Sequence, residues 1–474
     1  MADDSLALLS VEETARRVRA REISPVEVLE ACLERVDRFN GELNAVVSPN
    51  PRARAEAEVL EGRIARGEDV GPLAGVTVGI KDVTEVAGVR TTYGSPLFAD
   101  HVPEHDATVV ERLRAAGAIV VGKTNTPEFA AGGNTFNLVF GRTRNPWNPE
   151  RSAGGSTGGG AAGLASGMFH LAQGTDLGGS LRIPASFCGV VGLRPSVGLV
   201  PTWPQDYLWD TMQVTGVMGR GAGDVAIGLQ AVAGAGDRAP LAQPMAGRDF
   251  AAAVRGADAR GLRAAYCADI AGIGIDAGVE RVCREGALAL REAGATVDEI
   301  ELDLSYGRPA FLALRGLWFV SQLHPHLDKL EHFGTNVANN VRAGLGTSVE
   351  ALGAAEGARR RIWDRFRDFF REYDLLLTPT MAVPPFSVEE NYPQTVGGKE
   401  MATYVDWLAP TFVLSLTGLP VASVPAGTDA EGMPVGLQIV APPRGEERAL
   451  AAATVVQRLR PVGVPPKYLT QERG

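Results

Sequence analysis

Residues 154–184 read GGSTGGGAAGLASGMFHLAQGTDLGGSLRIP. Ten of the 27 residues from Gly154 to Ser180 are glycine, in a chain of 474 residues with 57 glycines. Two serines stand beside glycine pairs in this stretch, Ser156 after Gly154-Gly155 and Ser180 after Gly178-Gly179, 24 residues apart. Bare backbone lets a ligand come close. A hydroxyl flanked in this way has an open path for attack, and neighbouring amides can face a developing oxyanion. The plain alternative is a tightly packed turn and helix whose serines do nothing but fold.

A serine nucleophile needs a base. The six histidines are His101, His105, His170, His324, His326 and His332. None adjoins either serine, and none stands in a metal-binding HExxH spacing. His324-Pro-His326 reads as a loop or cap, and His170 as packing at a helix end. A Ser-His-Asp arrangement stays open, with nothing singling one out. Lys81 is the other candidate, 75 residues before Ser156. Free lysine titrates near 10.4 and is a poor acceptor at neutral pH, but burial can bring it to about 7–8, a shift worth roughly 4 kcal/mol. That requires a dry pocket, which the small residues of 154–180 can form. Taken without the serines, Lys81 is an ordinary solvated lysine at a strand end.

Around this stretch the chain alternates strands and helices. Val76, Val78 and Ile80 predict a strand running into Lys81 and Asp82. Ser10 with Glu13, and Ser24 with Glu27, predict capping boxes on two opening helices, with Pro25 at a first helical position. Asp106 is expected to cap a helix over 107–116, followed by a strand at Ile119–Val121. Further strands are expected at Leu375–Leu377, Val421–Val424 and Val435–Ile439, and helices over 280–293, 348–371 and 446–459. Strands apolar on both faces, alternating with helices, indicate an α/β sheet covered on two sides.

One motif competes. Gly117-Ala-Ile-Val-Val-Gly-Lys-Thr124 matches the G-x-x-x-x-G-K-[ST] phosphate loop. Its middle residues Ile119, Val120 and Val121 are β-branched and prefer a strand, and Asn125-Thr126-Pro127 follows where the motif needs a helix. Nucleotide binding here is a third function class, to be read as saturable affinity lost in Lys123→Ala.

The 46 Lys+Arg against 56 Asp+Glu leave a net charge of −10, which argues against nucleic acid and against anionic membrane. Cys32, Cys188, Cys267 and Cys283 form no CxxC pair and predict isolated reduced thiols in the cytoplasm. No signal peptide and no apolar run of roughly 18 residues is present. Length suggests about three domains, but no linker, repeat or charge block divides the chain.

With these motifs in hand, the sequence resembles the amidase signature family. The resemblance rests on Gly154–Pro184 and extends over nearly the whole chain through Gly79-Ile-Lys81-Asp82, Gly122–Phe129, Asn145–Pro149, Gly189–Pro195 and Gly418–Val421. It implies one domain over 1–474: a large mixed β-sheet with helices on both faces. The motif-bearing core would lie at about 70–200, a variable substrate-pocket region at about 200–410, and returning C-terminal strands and helix at about 411–460. It also implies a Ser-Ser-Lys triad in which Ser180 forms the acyl-enzyme, Ser156 bridges and Lys81, neutral at rest, is the base. The amides of Leu177, Gly178, Gly179 and Ser180 would hold the oxyanion. The Gly155–Ser156 peptide would be cis, Asp176 and Arg182 would brace the turn, and the backbone of Ala130 would line the acyl site.

Thr157 stands where the family usually has Ser or Gly. Its hydroxyl can keep a hydrogen bond, while its methyl can narrow the pocket. No metal or organic cofactor is implied. Tyr207, Trp209 and Trp318, with Trp203, Phe319 and Trp407 nearby, are aromatic candidates for the pocket of an aryl or long acyl amide. Esters and carbamates share the chemistry. A homodimer is plausible from the family alone. The family also holds the glutaminase component of transfer-RNA amidotransferases, which typically has Gln directly after the Ser-Ile-Arg run, where this chain has Ile183.

Overall fold

The structure, a computed structural model, describes residues 4–245 and 247–469. Its centre is an eleven-stranded sheet. In chain order the strands are β1 (Val46–Pro49), β2 (Thr77–Lys81), β3 (Ile119–Thr124), β4 (Leu171–Asp176), β5 (Val191–Arg194), β6 (Val214–Gly219), β7 (Arg263–Tyr266), β8 (Thr296–Glu299), β9 (Leu375–Pro379), β10 (Val421–Thr428) and β11 (Pro434–Val440). Across the sheet they run β1-β3-β2-β4-β6-β5-β10-β11-β9-β7-β8. β2 is parallel to β3 and β4, and β7 to β8 and β9; the other neighbours are antiparallel. The sheet is therefore mixed, as the resemblance implies.

Helices cover both faces because successive strand residues point to opposite sides. In β3, Val120 packs into one core with the helices Ala222–Val232 and Glu446–Leu459. Ile119 and Val121 pack into another with Pro25–Leu43 and Gly158–Ala165. In β9, Leu375 and Leu377 join the first core, while Leu376 joins a third under the helices Arg308–Gln322, Thr335–Leu345 and Val349–Phe369. All five residues of β2 are buried, so its apolar alternation marks a central strand with Gly and Lys in it, not a half-solvated one.

The local signals resolve unevenly. Ser24 and Glu27 form the full capping box with Pro25 at the first position. Ser10 accepts from Glu13 N, but the Glu13 carboxylate turns to Arg16, leaving half a box. Asp106 caps nothing. The helix Thr108–Ala115 starts from Ala107, and Asp106 instead accepts from Ala87 N at 2.8 Å and pairs with Arg114 at 3.1 Å. The phosphate-loop look-alike is largely β3 itself: Lys123 is buried, donates to Thr84 O at 2.6 Å and Thr91 Oγ1 at 2.8 Å, and lies 3.4 Å from Asp82 Oδ1. Four buried cysteines are free thiols. Among the described residues no helix is long and apolar enough to cross a membrane.

Candidate active site

Lys81 ends β2 and Thr175 lies near the end of the adjacent parallel strand β4, so the sheet brings their side chains to one edge. Lys81 Nζ lies 2.7 Å from Ser156 Oγ, 3.0 Å from Thr175 Oγ1 and 3.5 Å from Thr175 O. Lys81 and Ser156 have no exposed surface. Burial pushes the Lys81 amine down to about 7, against the upward pull of the Asp176 carboxylate. Thr175 belongs to the glycine-rich stretch, but no sequence pattern singles it out as the second partner of the lysine.

Ser156 follows a cis Gly155–Ser156 peptide bond, as the resemblance implies. Ser180 is half-buried on the turn between β4 and the helix Arg182–Cys188. Thr157 N donates to Ser180 O at 3.2 Å, which ties the two serine segments together. Among the described residues nothing hydrogen-bonds Ser180 Oγ, so the structure draws Lys81 and Ser156 into contact and places Ser180 beside them without closing the relay.

The turn is built around Asp176. Its carboxylate accepts from Gly179 N at 2.8 Å, from Leu181 N at 3.2 Å and from Arg182 Nε and Nη2 at 3.0 and 2.9 Å. Arg194 donates to Asp176 O and also reaches Met212 O at 2.8 Å. Burial works to raise the Asp176 carboxyl, but Arg182 and Arg194 outweigh it and hold it well below the usual range. Arg182 also donates to Thr411 O, Gln438 Oε1 and Ser415 Oγ, each at 2.8 Å. Asp176 and Arg182 thus take bracing positions. Arg194, quoted from sequence only within its block, is the second clamp.

The Gly179 amide is spent on Asp176, whereas those of Leu177, Gly178 and Ser180 have no acceptor among the described residues. Gly179 has φ +125°, and a Cβ there would meet Thr411 Oγ1 at 2.3 Å, so the turn admits no side chain. The hydrogen bond expected of Thr157 is not made: its hydroxyl is buried and unpartnered. Its side chain packs over Gly174, where a Cβ would lie 2.6 Å from the Thr157 methyl.

A cavity of about 340 Å³ opens against Thr175. Ala130 and Trp318 line it; Tyr207 and Trp209 do not, and neither do Ser156 and Ser180. Trp318 is held by a 2.7 Å bond from Nε1 to Asp210. Trp209 is 67% exposed, and Tyr207 packs beside the third core. Sequence reasoning missed Tyr93 and Phe98, which form one wall with Phe129: Tyr93 and Phe129 stack at 5.6 Å, and Phe98 meets both edge-on. Tyr93 and Phe98 come from the connection after β2 and Phe129 from the one after β3, and no periodicity connects them.

His326 lines the same cavity, with its ring edge-on to Phe98 at 5.3 Å. His170 lies past its helix end, at the entry to β4, within 2.8 Å of Thr77 Oγ1 and 3.0 Å of Leu6 O. Burial pushes it down to about 3, and neither nitrogen contacts a serine of the site.

The family model described as Amidase matches residues 27–450. The chain belongs to the amidase signature family. This amidase is 35% identical to an acylamidase of Rhodococcus erythropolis, over 97% of each chain. It is 34% identical to one of the subunits of the glutamyl-tRNA(Gln) amidotransferase of Carboxydothermus hydrogenoformans, over 94% of this chain and 96% of the relative. Among solved structures it superposes on a bacterial aryl acylamidase of the amidase signature family with TM-score 0.89 at 28% identity, covering 96% of each chain. It also superposes on a 6-aminohexanoate cyclic dimer hydrolase with TM-score 0.88 at 28% identity, covering 98% of this chain and 100% of the other. The amidase is accordingly a hydrolase of amide C–N bonds, on the covered mixed sheet of its family.

Proposed function

We propose that this amidase cleaves a small carboxylic amide with an aromatic group, through an acyl-enzyme on Ser180 and a Ser156–Lys81 proton relay. The observation that carries it is the 2.7 Å contact between a buried Lys81 Nζ and Ser156 Oγ. A neutral amine there donates to Thr175 and accepts the Ser156 proton, while Ser156 Oγ takes the proton of Ser180 as it attacks. The amides of Leu177, Gly178 and Ser180, which have no acceptor among the described residues, serve as donors for the oxyanion. The relay run backwards protonates the departing amine. Water then repeats the attack on the acyl-enzyme. The aromatic wall beside Thr175 and the acylamidase relatives support an aryl amide. We take the catalytic unit to be one domain.

The test is labelling with a fluorophosphonate and mapping of the adduct. Modification of Ser180, with turnover in Ser180→Ala reduced by at least ~10³-fold, is expected. An adduct elsewhere, with Ser180→Ala still active, removes the proposal. Esters and carbamates belong in the same substrate panel, since acyl transfer to Ser180 serves all three. The glutaminase alternative is weakened by Ile183 and is separated by assaying the pure chain without a partner.

A further inference from the structure

The charged lining of the cavity beside Thr175 is acidic, with His326 as its one imidazole among the described residues. Glu85 and Asp206 line it, and no lysine or arginine does among the described residues. Glu85 is fixed there: its Oε1 accepts from Tyr93 Oη at 2.7 Å, with His101 Nε2 3.9 Å from the same oxygen. Burial and Glu85 both raise the Tyr93 phenol, so Tyr93 remains a donor to the carboxylate. Arg238 lies over the ring of Trp203, which lines the cavity, and is paired with Glu111. Lys81 lies behind Thr175 with its amine near neutrality. An anionic group entering the cavity meets two carboxylates with no lysine or arginine to offset them, while an ammonium meets two carboxylates of opposite charge.

We propose that Glu85, seconded by Asp206, selects substrates by charge: neutral and ammonium-bearing aromatic amides enter, and carboxylate-bearing ones are turned away. This rests on the aryl-amide hydrolysis proposed above. Glu85 is the stronger determinant because it is partly sheltered and anchored, whereas Asp206 is exposed and screened.

The test is kcat/KM for acetanilide and benzamide, each bare, with a para aminomethyl group and with a para carboxylate. The enzymes are the parent, Glu85→Gln and Asp206→Asn. Relative to the bare amide, about a tenfold gain is expected for the ammonium and about a tenfold loss for the carboxylate. Glu85→Gln, which keeps an acceptor for Tyr93, should collapse the ammonium-to-carboxylate ratio. Asp206→Asn should lower it less, and less again in high salt. Equal rates for the two charged amides, a carboxylate preference, or ratios unmoved in both variants would overturn charge selection while leaving aryl-amide hydrolysis intact. Failure to cleave the bare amides would instead remove aryl-amide hydrolysis, and charge selection with it.

Discussion

Lys81 illustrates how a single residue changes character on folding. As a free side chain it is a cation; at the end of β2 it has no exposed surface and titrates near 7. The base must be unprotonated, and the folded value lies below the free one. Activity should therefore fall about tenfold per unit below pH 6, rise through 7 and level off above 8. A pH–rate profile from 5 to 9 with chemistry limiting checks this, and a flat profile would contradict it. Lys123, one strand away, has a different task. It neutralises Asp82, whose carboxyl burial raises and Lys123 lowers. Lys123→Met should destabilise the fold by about 3 kcal/mol, because it strands a buried carboxylate. Urea unfolding measures this, and the parent should show no saturable nucleotide affinity.

At the scale of elements, the helix Gly158–Ala165 is the departure from local rules. Four of its eight residues are glycine, each costing about 1 kcal/mol against alanine in a helix interior. Packing explains it: a Cβ on Gly159 would lie 2.4 Å from Asn125 N and 2.6 Å from Ala45 O. Gly159→Ala is expected to cost about 2 kcal/mol through overpacking. Gly353, in the helix Val349–Phe369, has nothing within 4 Å of such a Cβ, and Gly353→Ala should stabilise by about 0.5–1 kcal/mol. Opposite signs in chemical denaturation are the expected result; equal signs would show that close approach is not the reason for the glycine run. The same contrast marks what could be foreseen. Long amphipathic or β-branched segments such as 446–459 and 435–439 emerge within a few residues of their expected limits. Short buried strands such as β5 carry too little pattern to be seen, and Asp106 shows that a good capping residue can be taken by a distant amide.

On the scale of the whole molecule, the strands that position the lysine and the serine turn, β2 and β4, are neighbours inside an eleven-stranded sheet. Every group in the proposed relay comes from this chain. The purified protein alone should therefore hydrolyse a simple amide, with no gain on adding a partner protein. Steady-state assays decide it, and absolute dependence on a second protein would favour the glutaminase alternative. The covered α/β sheet was legible in the apolar strands alternating with helices, and the pairing of Lys81 with Ser156 followed from the resemblance to the amidase signature family, because that resemblance is carried by contiguous glycine-rich motifs a linear chain displays directly. Tertiary structure alone decided that Thr175 shares the lysine, that Arg194 joins Arg182 on Asp176, that Thr157 keeps its hydroxyl unpartnered, and that Tyr93 and Phe98 form the cavity wall that Tyr207 and Trp209 do not. These depend on residues far apart in the chain meeting at van der Waals distance in a close-packed interior, and no local periodicity encodes such meetings.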